Sequence, residues 1–174
     1  MLVGASHYAG VLDVASPANF AETYAAMERE CKKRRGPTRV PFAEQEERGE
    51  LLSWLLFLWG VYRVSVELGS AQRVASLRES IDRPTVRTAN LHFPSGQVLV
   101  TDLEWLGSSE NTPVLEVEPG WYSVTWIEDY SRMDGHECLE SLEEYPEGDG
   151  PEWWVILDPE CSMPPSKRPG SDQP

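Results

Sequence analysis

Three consecutive residues, His136, Glu137 and Cys138, carry side chains that bind metals or act in catalysis. A structural zinc site needs four ligands and a catalytic one needs three, and the other histidines, His7 and His92, are distant in the sequence. A Cys138 nucleophile would need a third group to orient its base, and no pattern marks one. We therefore expect no metal, no cofactor and no catalytic residue, so that the chain is not an enzyme.

Other catalytic patterns give no stronger signal. The phosphate-binding loop, the dinucleotide fingerprint, HExxH and GxSxG do not occur. Adjacent carboxylates occur at Glu128-Asp129 and Glu143-Glu144, and paired carboxylates can perform general acid–base catalysis. In a stretch this rich in acids, however, such adjacency is expected by chance.

The distribution of charge is the most informative feature of the sequence. Residues 1–101 hold 11 acidic and 12 basic residues, residues 102–160 hold 17 acidic and one basic, and residues 161–174 hold one acidic and two basic. These balances of +1, −16 and +1 give the net charge of −14. A field of this kind attracts a basic partner and repels nucleic acid. The alternative is that the acids form a solvated surface that keeps the protein soluble.

The sequence indicates a reducing compartment. The three cysteines, Cys31, Cys138 and Cys161, are odd in number and form no CxxC, so we predict free thiols. The first residues lack the basic and apolar regions of a secretory signal. The most apolar stretch, residues 51–66, is interrupted by Arg63 and is too short to span a bilayer. We expect a cytoplasmic protein that does not enter a membrane.

The first half of the chain has mostly helical patterns. Residues 16–36 predict a helix with Ser16 as its N-cap. A second helix is predicted to end near Trp54, followed by a strand or tight corner and then a strand through Leu68, and the pattern leaves open whether residues 43–59 are helix or strand. Residues 71–82 have apolar side chains at helical spacing.

The second half has the alternation and turn residues of β-structure. Five strands are predicted there, at residues 86–93, 97–101, 114–117, 121–127 and 153–157. The turn signals Pro94-Ser95-Gly96 and Glu118-Pro119-Gly120 predict that the first four strands form two hairpins. Residues 131–150 are predicted to be a long acidic loop with a short helix near Cys138.

These patterns predict an α+β fold, a mostly antiparallel β-sandwich with one to three helices from the N-terminal half packed on it. Hydrophobic residues make up 40% of the 174 residues, which is enough for one packed core. We expect a single domain over residues 1–163 and a disordered tail over residues 164–174.

Two motifs resemble a known group of proteins. The run from Phe93 to Asp102, with its Pro-Ser-Gly turn, is followed by Val117-Glu118-Pro119-Gly120-Trp121-Tyr122-Ser123-Val124. This pair is similar to the turns of small bacterial β-sandwich proteins, among them the competence-associated nuclease inhibitors and immunity proteins of toxin systems. The resemblance covers residues 86–127. It implies the fold and an inhibitor role, and it carries over no catalytic residue.

The charge and the resemblance together predict an immunity or inhibitor protein that occludes a basic protein toxin, and we expect that toxin to be a nuclease. The alternative is a non-catalytic accessory or ligand-binding domain with a solubilising acidic surface. Adjacent residues of a strand point to opposite faces, so one of Trp153 and Trp154 is expected to be exposed unless that strand is covered on both sides. The predicted partner-binding residues are Glu128, Asp129, Asp134, Glu137, Glu140, Glu143, Glu144, Glu147, Asp149, Glu152, Trp153 and Trp154.

Overall fold

The computed structural model describes residues 2–5, 8–15, 42–55, 60–103, 114–129, 131 and 151–159. Nine strands and two helices lie in these ranges, so the described fold is α+β and mostly β. The strands are β1 (Leu2–Ala5), β2 (Tyr8–Asp13), β3 (Leu51–Leu55), β4 (Gly60–Leu68), β5 (Pro84–Phe93), β6 (Gln97–Asp102), β7 (Val114–Glu116), β8 (Gly120–Asp129) and β9 (Trp153–Asp158). The helices are α1 (Ala43–Glu47) and α2 (Ala71–Ser80).

The strands form two sheets. One has five strands in the order β1-β4-β9-β8-β5, and the other has four in the order β3-β2-β6-β7. Every pairing is antiparallel except that of β4 with β9, where Val64 lies opposite Trp153. The prediction of a mostly antiparallel α+β fold is confirmed at this level. The sandwich arrangement stays a prediction.

One large hydrophobic cluster draws side chains from both sheets. Val11 of β2, Trp54 of β3 and Val100 of β6 belong to it, together with Trp126 of β8 and Trp153 of β9. A separate cluster joins α2 to the other face of the five-stranded sheet, through Leu77, Ile81, Ile127, Trp154 and Ile156. The strands β8 and β9 therefore have apolar side chains packed on both faces.

The predicted hairpins are wrong in their pairing. The chain crosses from one sheet to the other at Pro94-Ser95-Gly96, because β5 pairs with β8 whereas β6 pairs with β2 and β7. It crosses back between β7 and β8. The two turns pack on each other instead, since Val117 N donates to Gly96 O at 2.8 Å. Turn residues thus identified where the chain bends but not which strands it joins.

The helix predicted to run to Trp54 is also wrong. It is replaced by the five-residue α1, a turn at Gly49 with φ +71°, and β3 from Leu51. An added Cβ at Gly49 would lie 2.7 Å from the backbone oxygen of Asn90, so the close approach requires glycine. The apolar run after Gly49 pairs with β2 on one side and so forms an edge strand of the four-stranded sheet.

An ion pair covers the open edge of β3. The Glu46 carboxylate accepts from Ser53 N at 2.8 Å and from Ser53 Oγ at 2.6 Å, and the Arg87 guanidinium donates to Ser53 O. Arg87 also donates to both oxygens of Glu46, at 3.1 and 3.0 Å. Both backbone hydrogen-bonding groups of Ser53 are therefore satisfied by side chains, which blocks pairing with a further strand there.

Several predicted elements lie outside the described residues. They are the helix over residues 16–36, the acidic loop with its short helix near Cys138, the three cysteines and the tail over residues 164–174. Neither described helix is long and apolar enough to cross a bilayer.

Candidate functional site

Four polar residues of the charged stretch lie where β8 ends and β9 begins, in the five-stranded sheet. We call this place, formed by Glu128, Asp129, Ser131 and Glu152, the acidic base. Asp129 N donates to Glu152 O at 2.9 Å, so the two ends of residues 130–151 are joined by a hydrogen bond. Asp129 Oδ1 in turn accepts from Ser131 N at 3.1 Å and from Ser131 Oγ at 2.6 Å.

Glu152 attaches the acidic base to β4. Its backbone N donates to Arg63 O at 2.9 Å, and its carboxylate Oε2 accepts from Arg63 N at 3.0 Å. The Glu152 carboxylate thereby acts in place of a backbone acceptor and extends the hydrogen bonding between β4 and β9 to the N–H of Arg63. Glu152 is buried because its carboxylate acts as part of the sheet.

Glu128 is buried for a different reason. It lies on the face of β8 that also carries Trp126 and the core, and its Oε2 accepts from Trp54 Nε1 at 3.1 Å. Burial raises the pKa of Glu128 to about 7, although the indole N–H of Trp54, and then that of Trp153, lower it in part. The N–H of Trp153 does not reach hydrogen-bonding geometry and has no partner.

Stacked aromatic rings surround this carboxyl group. Trp54 lies parallel to Trp126 with centroids 5.6 Å apart, and Tyr62 stacks on Trp153 at 3.9 Å. Trp126 and Trp153 meet at 5.1 Å, which joins the two pairs into one row. The indole N–H of Trp126, like that of Trp153, is buried without a hydrogen-bond partner.

The two tryptophans of the last strand are both buried, which is the outcome predicted for a central strand covered on both sides. Trp153 is 0% exposed and Trp154 is 9% exposed. The reason is the strand order, because β9 lies between β4 and β8 with the aromatic row on one face and α2 on the other. Neither ring is presented to a partner in this conformation.

The structure describes five of the twelve predicted partner-binding residues. All five are buried: Glu128, Asp129, Glu152, Trp153 and Trp154. The seven others lie outside the described residues: Asp134, Glu137, Glu140, Glu143, Glu144, Glu147 and Asp149. The described five form and surround the acidic base, and a role in binding stays a prediction for the whole set.

Sequence reasoning missed the surroundings of Glu128. A usable signal was present, because the alternation Tyr122, Val124, Trp126 places Glu128 on the same apolar face. Trp54 could not be assigned to the cluster, since it was placed at the end of a helix. Its contact with Glu128 spans 74 positions and two sheets, and local patterns carry no such information.

The described residues offer little for catalysis. Within the described ranges, no three His, Cys, Asp or Glu side chains are grouped so that they can hold a metal ion. Asp13, which is buried, binds Ala15 N, Ser95 N and Ser95 Oγ and so fixes the turn before β6. Tyr122 Oη donates to Glu118 O at 2.7 Å, and burial followed by the charge of Glu118 raises the pKa of Tyr122. These polar contacts hold turns together.

The two motifs of the predicted resemblance meet in the structure. An added Cβ at Gly96 would lie 2.6 Å from Val117 O and 3.2 Å from Pro119 Cγ. Ser95 and Tyr122 anchor the same pair of turns through the contacts given above. The motifs therefore define the point at which the chain changes sheets, which is a property of the fold.

The fold defines this chain as a mostly β, two-sheet α+β protein. It is similar to the solved structure described as crocagin biosynthetic gene J, with a TM-score of 0.66, 22% identity, and coverage of 92% of this chain and 96% of that chain. It is also similar to ComJ of Bacillus subtilis, inhibitor of the DNA degrading activity of NucA, with a TM-score of 0.47, 10% identity, and coverage of 91% and 93%.

At 22% identity, the likeness to the crocagin biosynthesis protein shows the fold alone. The predicted resemblance is confirmed in that a nuclease inhibitor is among the similar structures. No family model matches the chain, and no curated protein does.

Proposed function

We propose that this chain is a cytoplasmic immunity or inhibitor protein that binds a basic protein toxin and occludes it, and that the toxin is a nuclease. One observation carries the proposal: 17 acidic residues against one basic residue in residues 102–160, in a chain that is otherwise balanced. Nuclease active sites are positively charged because they bind phosphates, so an acidic surface can compete with the nucleic acid.

The acidic base supports this proposal. Three of the seven acids described in residues 102–160 belong to it: Glu128, Asp129 and Glu152, all of them buried. Seven further acids of the stretch lie in residues 132–150, where Arg132 is the one basic residue. Asp129 and Glu152, which flank this segment, are hydrogen-bonded to each other, and Glu152 is also hydrogen-bonded to β4.

Charge also supports a fast encounter with a basic partner. Association between complementary charged surfaces is steered over distances near the Debye length, about 8–10 Å at physiological salt. Glu116 and Glu118, on and after β7, are exposed acids of the same stretch, and Val114 is an exposed apolar side chain beside them. A partner that covers them gains both charge pairing and apolar burial.

The experiment compares two variants that change the charge equally. In the first, Glu140, Glu143, Glu144 and Glu147 are replaced by Gln; in the second, the exposed acids Glu44, Glu47 and Glu79 are replaced by Gln and Asp82 by Asn. Basic proteins captured from host lysate are purified and assayed for nuclease activity with each variant.

We expect the wild type and the second variant to inhibit the nuclease. The first variant should associate about 10-fold more slowly at low salt and depend less on salt. Equal association rates for both variants, or a captured partner without nuclease activity, would contradict the proposal.

A further inference from the structure

The Glu128 side chain has a hydrogen bond from the indole of Trp54 and a second indole, that of Trp153, as its cross-strand neighbour. Trp54 of the four-stranded sheet donates to Glu128 at 3.1 Å, and Trp153 lies opposite Glu128 in the β8–β9 ladder. The cross-strand neighbour on the other side is Thr85 of β5. This contact joins the two sheets at the acidic base.

The charged groups on the neighbouring elements are engaged elsewhere. Arg87 of β5 is held by Glu46 and by Ser53 O, and the carboxylates of Asp129 and Glu152 accept from Ser131 and from the backbone of Arg63. The Arg63 side chain alternates with the inward-facing Tyr62 along β4 and so projects from the opposite face. Tyr62 itself stacks on Trp153. Glu128 thus has neutral donors in place of a salt-bridge partner.

The two protonation states of Glu128 have different hydrogen-bonding capacities. An ionised carboxylate accepts hydrogen bonds at both oxygens, so it can satisfy two indole N–H groups. A protonated carboxyl group carries an O–H donor at one oxygen, and that oxygen is a weaker acceptor for an N–H group than a carboxylate oxygen. In the structure the N–H of Trp54 is paired with Glu128, and the buried N–H of its cross-strand neighbour Trp153 has no hydrogen-bond partner.

We propose that Glu128 is a proton-responsive lock between the two sheets, in which loss of its proton to solvent recruits the indole N–H of Trp153 as a second donor beside that of Trp54. The exchange falls in the physiological range, because burial raises the pKa of Glu128 to about 7. Since Trp153 follows Glu152 and Glu128 precedes Asp129, the change occurs within the acidic base. The lock does not depend on the proposed function.

The test follows the indole N–H resonances of ¹⁵N-tryptophan-labelled protein from about pH 5.5 to about pH 8.5. Single Trp→Phe variants assign the signals. We expect the resonances of Trp54 and Trp153 to shift with a common midpoint near 7, while that of Trp121, on the opposite face of β8, stays still. The titration should vanish in Glu128→Gln and persist in Glu116→Gln, which changes an exposed acid.

A second variant keeps the proposal testable if Glu128→Gln folds poorly. Trp153→Phe retains a ring against Tyr62 but removes the donor, so the ionised form of Glu128 loses a hydrogen bond. The midpoint read from Trp54 should therefore move upward. Resonances that do not titrate, a titration that survives Glu128→Gln, or an unchanged midpoint in Trp153→Phe would overturn the proposal.

Discussion

Trp153 and Trp154 are adjacent in β9 and are buried on opposite faces of the same strand. Trp153 stacks on Tyr62 and contacts Trp126, whereas Trp154 packs with Leu77 and neighbouring side chains beneath α2. Two consecutive large rings can both be buried because β9 is flanked by β4 and β8 and covered on both sides.

We predict that Trp153→Ala and Trp154→Ala each lower the free energy of unfolding by about 3–5 kcal/mol, through lost burial and a cavity. Urea unfolding measures both. Trp121→Ala is the control, because Trp121 is half-buried and stacks on the exposed His92. This variant should lower the free energy of unfolding by less. A Trp154 variant as stable as the wild type would show that α2 does not cover β9.

Glu128 makes stability depend on pH in a predictable direction. Its pKa is about 7 in the fold and 4.5 ordinarily, so the folded state holds the proton more tightly. This contribution to stability is complete below pH 4.5 and is lost as the pH rises through 7, a change of roughly 3 kcal/mol. The difference in unfolding free energy between wild type and Glu128→Gln should therefore shift against the wild type from pH 5 to pH 8. A difference that is constant with pH would contradict the raised pKa.

The Glu46–Arg87 pair should matter more than an ordinary surface ion pair. Glu46→Ala leaves Ser53 N–H and Oγ without their acceptor, so we expect a loss of about 2–3 kcal/mol in unfolding free energy. A double-mutant cycle with Arg87→Met should give a coupling of about 1 kcal/mol or more.

The control cycle uses Glu44 and Arg48, which pair at 3.5 Å on the exposed face of α1. A coupling of about 0.5 kcal/mol or less is expected there. Equal couplings in the two cycles would mean that protection of the β3 edge adds nothing to the coupling free energy of the Glu46–Arg87 pair.

Gly96 should resist substitution because of both its backbone and its surroundings. Its φ is +71°, and a Cβ would lie 2.6 Å from Val117 O. Gly96→Ala should therefore cost about 2 kcal/mol or more in thermal or urea unfolding. Gly96→Asn separates the two causes, since Asn tolerates positive φ but still carries a Cβ. Recovery of stability with Asn would assign the cost to φ alone and contradict the contact with Val117.

The sequence predicted the elements better than their partners. The strands around Val98, Val124 and Val155 were found from alternation and β-branched content, and helix α2 from apolar spacing ended by Pro84. Pairing was not found, because the turns at Gly96 and Gly120 permit either a hairpin or a crossing between sheets. Which one forms depends on contacts between distant strands such as β5 and β8.

The candidate site was located in part. Charge alone identified the stretch that contains the acidic base. Burial of Glu128, Asp129 and Glu152 could not be anticipated, because it depends on donors from Trp54, Ser131 and Arg63 that lie on other strands or beyond a strand end. Composition shows how many carboxylates a segment has, and tertiary contacts decide which of them face water.

The position of β9 has a consequence for the order in which the fold can form. Val64 and its partner Trp153 are 89 positions apart, and within the five-stranded sheet β9 joins the pair of β1 and β4 to the pair of β5 and β8. During synthesis the chain emerges from the ribosome in sequence order, so both halves exist before the strand that unites them. Until residue 158 has emerged, β4 and β8 each have an unpaired inner edge, the kind of surface that recruits strands from other chains. Closure over so long a separation is also slow, which prolongs the time during which these edges stay unpaired.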